Sequence, residues 1–221
     1  MAQITLYGPR EVPFVLKVEL ALVLKKLGFT REVPSGPEDY KRWNPETGLL
    51  PVIEVDGIRV HDSSAILDFL DERFPEPPLL SSDPKLAASQ RTLESWAEET
   101  FVFYWMNHLR SLVRVDEAGD GDSPVPPPTG SRSRLSRRKK APRLNLQEGL
   151  GKEFGQRLDD LVNFLGRRPF FYSDRVSRAD LAIYSFLHNM PSVAGPVVAA
   201  AVESRQALVD LMVRVEAAVR S

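Results

Sequence analysis

Two stretches of the chain carry groups that could hold a charged ligand. Leu49-Leu50-Pro51-Val52 places a proline between a loop and an apolar run. Such a proline cannot donate to a β ladder, so it belongs at a strand start or in a cis turn. A cis Leu50-Pro51 bond would leave the backbone groups of Leu50 facing outward, and local sequence alone equally allows an ordinary trans bond. Further on, His61-Asp62-Ser63-Ser64-Ala65-Ile66 puts short polar side chains where a helix begins. Free N–H groups and hydroxyls at a helix N-terminus suit a carboxylate or a phosphate. Asp62 or Ser63 serves equally well as a simple N-cap, and the two roles are compatible.

What is missing narrows the chemistry. The chain has no cysteine, which removes disulfides, thiolate metal ligands and any protein thiol nucleophile. His61, His108 and His188 have no second ligand at metal-binding spacing, so structural roles are expected and no metal site. No glycine-rich phosphate loop occurs. Lys and Arg number 29 against 30 Asp and Glu in 221 residues, so no global field would hold a polyanion and no nucleic-acid partner is expected. The local exception is Arg132, Arg134, Arg137, Arg138, Lys139, Lys140 and Arg143, interspersed with Ser131, Ser133 and Ser136. This run at 132–143 suits an anionic partner under phosphorylation control, or is a solvated loop balanced by the acids at 116–122.

The elements that must position these groups fall into two parts. Ile4 to Tyr7 reads as a strand, Phe14 to Leu27 as a helix closed by Gly28, and Thr30 to Val33 as a second strand. Val52 to Val55 and Ile58 to Val60 flank Asp56-Gly57, the strongest hairpin signal present. A helix then runs from Ser63 with Ile66, Leu67, Leu70 and Phe74 on one face until Pro75. From Leu86 to Val115 both sides are apolar, as in a helix buried on both faces. Residues 116–144, acidic, then proline-rich, then basic, exceed the usual length of a structureless loop and read as a partner-binding or mobile insert. Helical spacing returns at Phe154 to Leu165, Leu181 to His188 and Leu208 to Val219. The first residues carry no basic run followed by an apolar core, and no apolar stretch approaches the roughly 20 residues of a membrane span. A cytoplasmic location is expected.

Taken together, Tyr7-Gly8-Pro9-Arg10-Glu11-Val12-Pro13-Phe14, Asn44-Pro45, Leu50-Pro51-Val52-Ile53, Asp56-Gly57 and Asp62-Ser63-Ser64-Ala65-Ile66 resemble the amino-terminal domain of cytosolic glutathione transferases. Ser177-Arg178-Ala179-Asp180-Leu181 is similar to the capping box that opens the central helix of that family's second domain, with Val176 and Leu181 as its hydrophobic staple. The resemblance covers nearly the whole chain except residues 116–144. It implies an α/β thioredoxin-like domain over 1–78, a linker over 79–85 and an all-α helical domain over 86–221.

It also implies glutathione as cosubstrate, a small hydrophobic electrophile as its partner in a detoxifying conjugation, and a homodimer. Leu50, before a cis Pro51, would pair its backbone with the cysteinyl part of glutathione. Ser63, preceded by Asp62, would hold the γ-glutamyl carboxylate. The departure is Val12, which stands where the tau and omega classes carry a Ser or Cys. An aliphatic side chain cannot donate a hydrogen bond or form a mixed disulfide, so thiol transfer by the protein is excluded. Tyr7, at the end of the first strand, and Arg10 are the candidate replacements, by hydrogen bond and by charge. Val12, Phe101, Tyr104 and His108 would line the electrophile pocket, although an aromatic run of this kind also suits a plain core. The rival expectation is a protein that has kept the fold, lost the reaction and uses the 116–144 insert for binding.

Overall fold

The computed structural model describes the backbone of residues 2–117, 146–194 and 196–221 and, within these, the side chains of 2–106, 151–191 and 197–221. Most of the insert, with its basic run, and the His108 side chain lie outside the described residues.

Strand β1 (Ile4–Tyr7), helix α1 (Pro13–Leu24), strand β2 (Thr30–Glu32), helix α2 (Pro37–Trp43), strands β3 (Val52–Val55) and β4 (Ile58–His61) and helix α3 (Ser63–Arg73) form the first part. The sheet order is β2-β1-β3-β4. Strand β1 runs parallel to β2 and antiparallel to β3, and β3 to β4 is antiparallel. The parallel β1–β2 pair requires a crossover, which α1 supplies. Between β3 and β4, Asp56 and Gly57 both adopt positive φ (50° and 84°), the conformation that a two-residue hairpin with the right twist demands.

The sheet is sided by alternation. Ile4 and Leu6 on β1, with their register partners Val55 and Ile53, are buried against α1 and α3 residues such as Val15, Ile66 and Leu70. Tyr7 and Val52, also register partners, cluster with Trp43 of α2. A period of two sends successive side chains to opposite faces.

Helices α4 (Pro84–Glu117), α5 (Leu146–Leu165), α6 (Arg178–Ala194), α7 (Pro196–Glu203) and α8 (Gln206–Arg220) follow. Helix α6 is mostly buried: Leu181, Ile183, Phe186, Leu187 and Met190 are each 1% exposed or less, and His188 is exposed. One apolar cluster continues from the sheet through α1 into α4, α5, α6 and α8.

The sequence reading differs from the structure at several element ends, among them the start of α5 at Leu146, and in three further respects. Helix α1 ends at Leu24, before Gly28, because Lys26 takes the left-handed conformation (φ 56°). The Lys26 N–H donates to Val23 O (2.9 Å) and the Leu27 N–H to Leu22 O (2.9 Å), a Schellman closure that did not need glycine. The second difference is α2, in a Pro-, Gly- and Asp-rich stretch where no element was expected. The third is α7, whose small-residue run gave no clear period.

Candidate functional site

A cleft of about 220 Å³ opens where the β3 entrance faces the start of α3, lined by Phe14, Asn44, Leu50, Pro51, His61, Asp62, Ser63 and Glu98 among others. Its near wall is the loop before β3. Asn44 organises that loop: its Nδ2 donates to Thr47 Oγ1 (2.7 Å) and to Leu49 O (2.9 Å), and its carbonyl accepts from the Gly48 N–H (2.8 Å). Gly48 is at φ 70°, open to glycine at little cost. The Leu50–Pro51 peptide bond is cis.

The far wall is the α3 N-terminus. Asp62 is the N-cap, at φ 73°, and its Oδ1 accepts from the Ser64 and Ala65 N–H groups (3.0 Å each). Of the two roles open to this segment, capping therefore falls to Asp62. Ser63 is left with a hydroxyl that has no hydrogen-bond partner among the described residues, in a residue only 5% exposed that lines the cleft. A helix N-terminus carries partial positive charge, so the combination accepts an anionic group.

Behind this wall lies a polar cluster that the sequence reading missed. Lys17 of α1, 1% exposed, reaches Glu94 Oε1 (2.8 Å), Glu98 Oε1 and Ser64 Oγ (3.2 Å). Arg178 of α6, also 1% exposed, donates to Glu94, to Asp68 and to the Ser64 carbonyl (3.0 Å). Arg91 pairs with the same Asp68 (2.8 Å). Burial opposes ionisation of Glu94, but the charges of Lys17 and Arg178 outweigh it and hold its carboxyl below the usual range. For Glu98, burial wins over Lys17, and the charges of Glu94 and Asp62 push the same way, so its carboxyl is raised. Glu98 thus brings a carboxylate into the cleft beside Asp62. A cleft with a helix N-terminus on one side and two carboxylates beside it offers complementary groups for both ends of a zwitterion.

The structure does not bring Tyr7 and Arg10 into this cleft. The Tyr7 ring packs on Trp43 (4.9 Å between centroids) and under the Arg59 guanidinium (5.5 Å). Strand alternation gives Leu6 to the core and turns Tyr7 to the α2 side. Arg10 pairs with Glu19 (3.3 Å), and its carbonyl accepts from Asn189 Nδ2 (3.1 Å). Val12 is half-buried as the α1 N-cap, while its neighbour Phe14 lines the cleft. Phe101 is fully buried between Trp96, Phe154 and Phe186 and therefore belongs to the core. Tyr104 is half-buried against Phe154 (5.3 Å) and outside the cleft lining, with its phenol pushed up by burial. Among the described residues no three His, Cys, Asp or Glu side chains are grouped to hold a metal ion. Nor is any described helix long and apolar enough to cross a membrane.

A family profile described as the N-terminal domain of glutathione S-transferase matches residues 13–73, the span from α1 to α3. Glutathione S-transferase omega-1 of Mus musculus is 32% identical over 198 residues, covering 86% of this chain and 68% of the mouse protein. The chain belongs to the glutathione S-transferase family. The chloroplastic glutathione S-transferase DHAR3 of Arabidopsis thaliana is 24% identical over 192 residues, and this chain spans 57% of its length. A crystal structure of a glutathione S-transferase from Rhodospirillum rubrum superposes with a TM-score of 0.66 at 23% identity, over 95% of this chain and 91% of that one. The fold is that of the family: a thioredoxin-like sheet with its helices, followed by a helical region. Within this glutathione S-transferase fold the cleft occupies the segment that the family profile ends on, from the cis Pro51 to α3.

Proposed function

We propose that the chain binds glutathione in the cleft between Leu50–Pro51 and α3 and presents its thiolate to a small hydrophobic electrophile. The observation that carries this reading is the unpartnered Ser63 hydroxyl at the α3 N-terminus, facing the cis Leu50–Pro51 bond across the cleft. Ser63 takes the γ-glutamyl carboxylate, Asp62 and Glu98 face the α-ammonium group, and the Leu50 backbone pairs with the cysteinyl residue. Thiolate attack forms a carbon–sulfur bond, while the electron pair of the electrophile leaves with its leaving group or moves into its acceptor. The thiol proton goes to solvent.

Stabilising the thiolate is left to the backbone. The Val12 side chain has no donor and its N–H is taken by the Pro9 carbonyl (3.2 Å), while Pro13 at the first helical position has no N–H. The Phe14 N–H, in the first turn of α1, has no intrahelical acceptor. Together with the positive end of α1 it lowers a thiol pKa. A protein of this family working as a homodimer in the cytoplasm is the setting we propose.

Two substitutions test the assignment. Ser63→Ala removes a hydrogen bond to a charged group, worth about 1.5–3 kcal/mol, and should weaken glutathione binding at least roughly tenfold by calorimetry. Unchanged affinity would place the carboxylate elsewhere. Tyr7→Phe should leave the thiolate absorbance of bound glutathione, followed against pH, where it is in the native protein. A shift of the thiol pKa to higher pH in that variant would show that the phenol reaches the sulfur.

A further inference from the structure

We propose that a second ligand site lies between α6, α7 and α8, an apolar cavity that takes a small hydrophobic molecule carrying a protonated amine. The cavity measures about 280 Å³ and shares no lining residue with the cleft. Its walls are aliphatic, with Leu187, Pro191, Val202, Val209 and Met212 among them, and its polar groups are His188, Glu203 and Glu216. Ligand pockets are commonly this mixture of apolar wall and few polar groups, and the volume lies just below their usual range. It suits one ring with a short chain rather than a lipid.

The polarity of those groups is set by a hydrogen-bonded chain. Tyr184, 4% exposed, donates its hydroxyl proton to Glu216 Oε1 (2.7 Å). Having given its only proton, it can only accept at His188 Nδ1, 3.3 Å away. A neutral His188 therefore carries its proton on Nδ1 and presents a lone pair at Nε2. The two rings stack at 5.3 Å with an interplanar angle of 16°, which fixes the imidazole. Burial and the adjacent Glu216 carboxylate push the Tyr184 phenol well above its usual range, so it stays a donor.

What remains for a ligand is acceptors. The second oxygen of Glu216 has Arg220 at 3.9 Å, but that side chain is 80% exposed and the contact is long. Glu203 has no ion-pair partner among the described residues. A carboxylate ligand would meet like charge, a neutral one would use only the wall, and an ammonium would satisfy both wall and rim. A hydrogen bond between charged groups is stronger than a neutral one.

The test uses the full chain labelled with ¹³C-methyl methionine, in which Met212 reports on the cavity and Met212→Leu identifies its resonance. The probes are 4-phenylbutylamine, 4-phenylbutanol and 4-phenylbutyrate, one body with three heads. The amine should move the Met212 methyl signal with an affinity about tenfold above that of the alcohol, and the butyrate should leave it in place. Glu216→Gln should bring the amine down to the affinity of the alcohol, and Glu203→Gln should weaken it several-fold. Saturating glutathione should displace none of it. Equal affinities for amine and alcohol, tighter binding of the butyrate, a Met212 signal unmoved by all three, or displacement by glutathione would each overturn the proposal. Should Glu216→Gln fail to fold, the ranking of the probes and Glu203→Gln still decide it.

Discussion

Arg178→Met should destabilise the protein by about 3–5 kcal/mol, the range for removing one partner of a buried ion pair. Arg178 is 1% exposed and donates to Glu94 at 2% exposure, to Asp68 and to the Ser64 carbonyl. It joins α6 to α4 and α3 at once. Methionine fills the volume but leaves Glu94 buried with only Lys17 and Ser64 as partners, and since Lys17 also serves Glu98, one ammonium is left to compensate two buried carboxylates. Urea denaturation read by fluorescence, with the slope unchanged, gives the difference. Removing both partners, Arg178→Met with Glu94→Leu, should restore much of the loss, because an apolar substitute for a whole ion pair is often neutral. A loss below about 1 kcal/mol for the single variant would mean that water enters and the cluster is not dry.

Asp180→Ala should cost a similar amount by another route. Asp180 is fully buried and accepts from the Phe171 N–H (2.9 Å), the Ser177 N–H (2.8 Å) and the Ser177 hydroxyl (2.6 Å). Alanine leaves these donors buried without an acceptor at about 1–3 kcal/mol each, partly recovered by relaxation, so about 3–5 kcal/mol in all. Asp180 also gives a pH signature. Burial, against the pull of Ser177 and Phe171, raises its carboxyl from 3.8 to about 6. The folded state then holds a proton that the unfolded state has released, so this contribution is complete below pH 3.8 and is lost as pH rises to about 6. Relative to Asp180→Ala, whose curve lacks this group, the native protein should lose about 3 kcal/mol across that interval, at 1.36 kcal/mol per pKa unit. Parallel stability curves would show that folding leaves the protonation of this carboxyl unchanged. Asp180 and Arg178 share the first turn of α6, so the double variant should not be additive.

Much of the fold was legible because it rests on local rules. Asp56-Gly57 permits the positive φ of a two-residue turn, Pro13 starts a helix, and Ser177 with Asp180 three residues on closes a capping box. Helix α2 was not legible. Its seven residues, Pro37–Trp43, bury only Asp39 and Trp43, too little to print a period, and tertiary contact of Trp43 with Tyr7 holds it.

Leu50, Pro51, Asp62 and Ser63, which line the cleft, could be singled out because each sits in a short contiguous pattern. Glu98 and the cluster behind it could not, since Lys17 meets Glu94 across 77 residues and Arg178 meets the Ser64 carbonyl across 114. The available signal was Lys17 itself, a charge inside the apolar run Phe14 to Leu22. The facing of Tyr7 was not legible: in Ile4-Thr5-Leu6-Tyr7 only the pairing with β3 shows that Leu6 looks toward α1 and α3 and Tyr7 toward α2.

The same long-range charges bear on how the gene for such a protein can be shuffled. Lys17 lies in the first part of the chain, Glu94 and Glu98 in the second, and Arg178 further on, so any crossover between α3 and α4 separates members that are buried together. Chimaeras that join residues 1–78 to the helical part of a relative should express as folded protein only when the donor helices bring acids opposite Lys17. Functional recombinants in this family should therefore segregate by that lysine and its acids as a linked set, whichever electrophile either parent prefers.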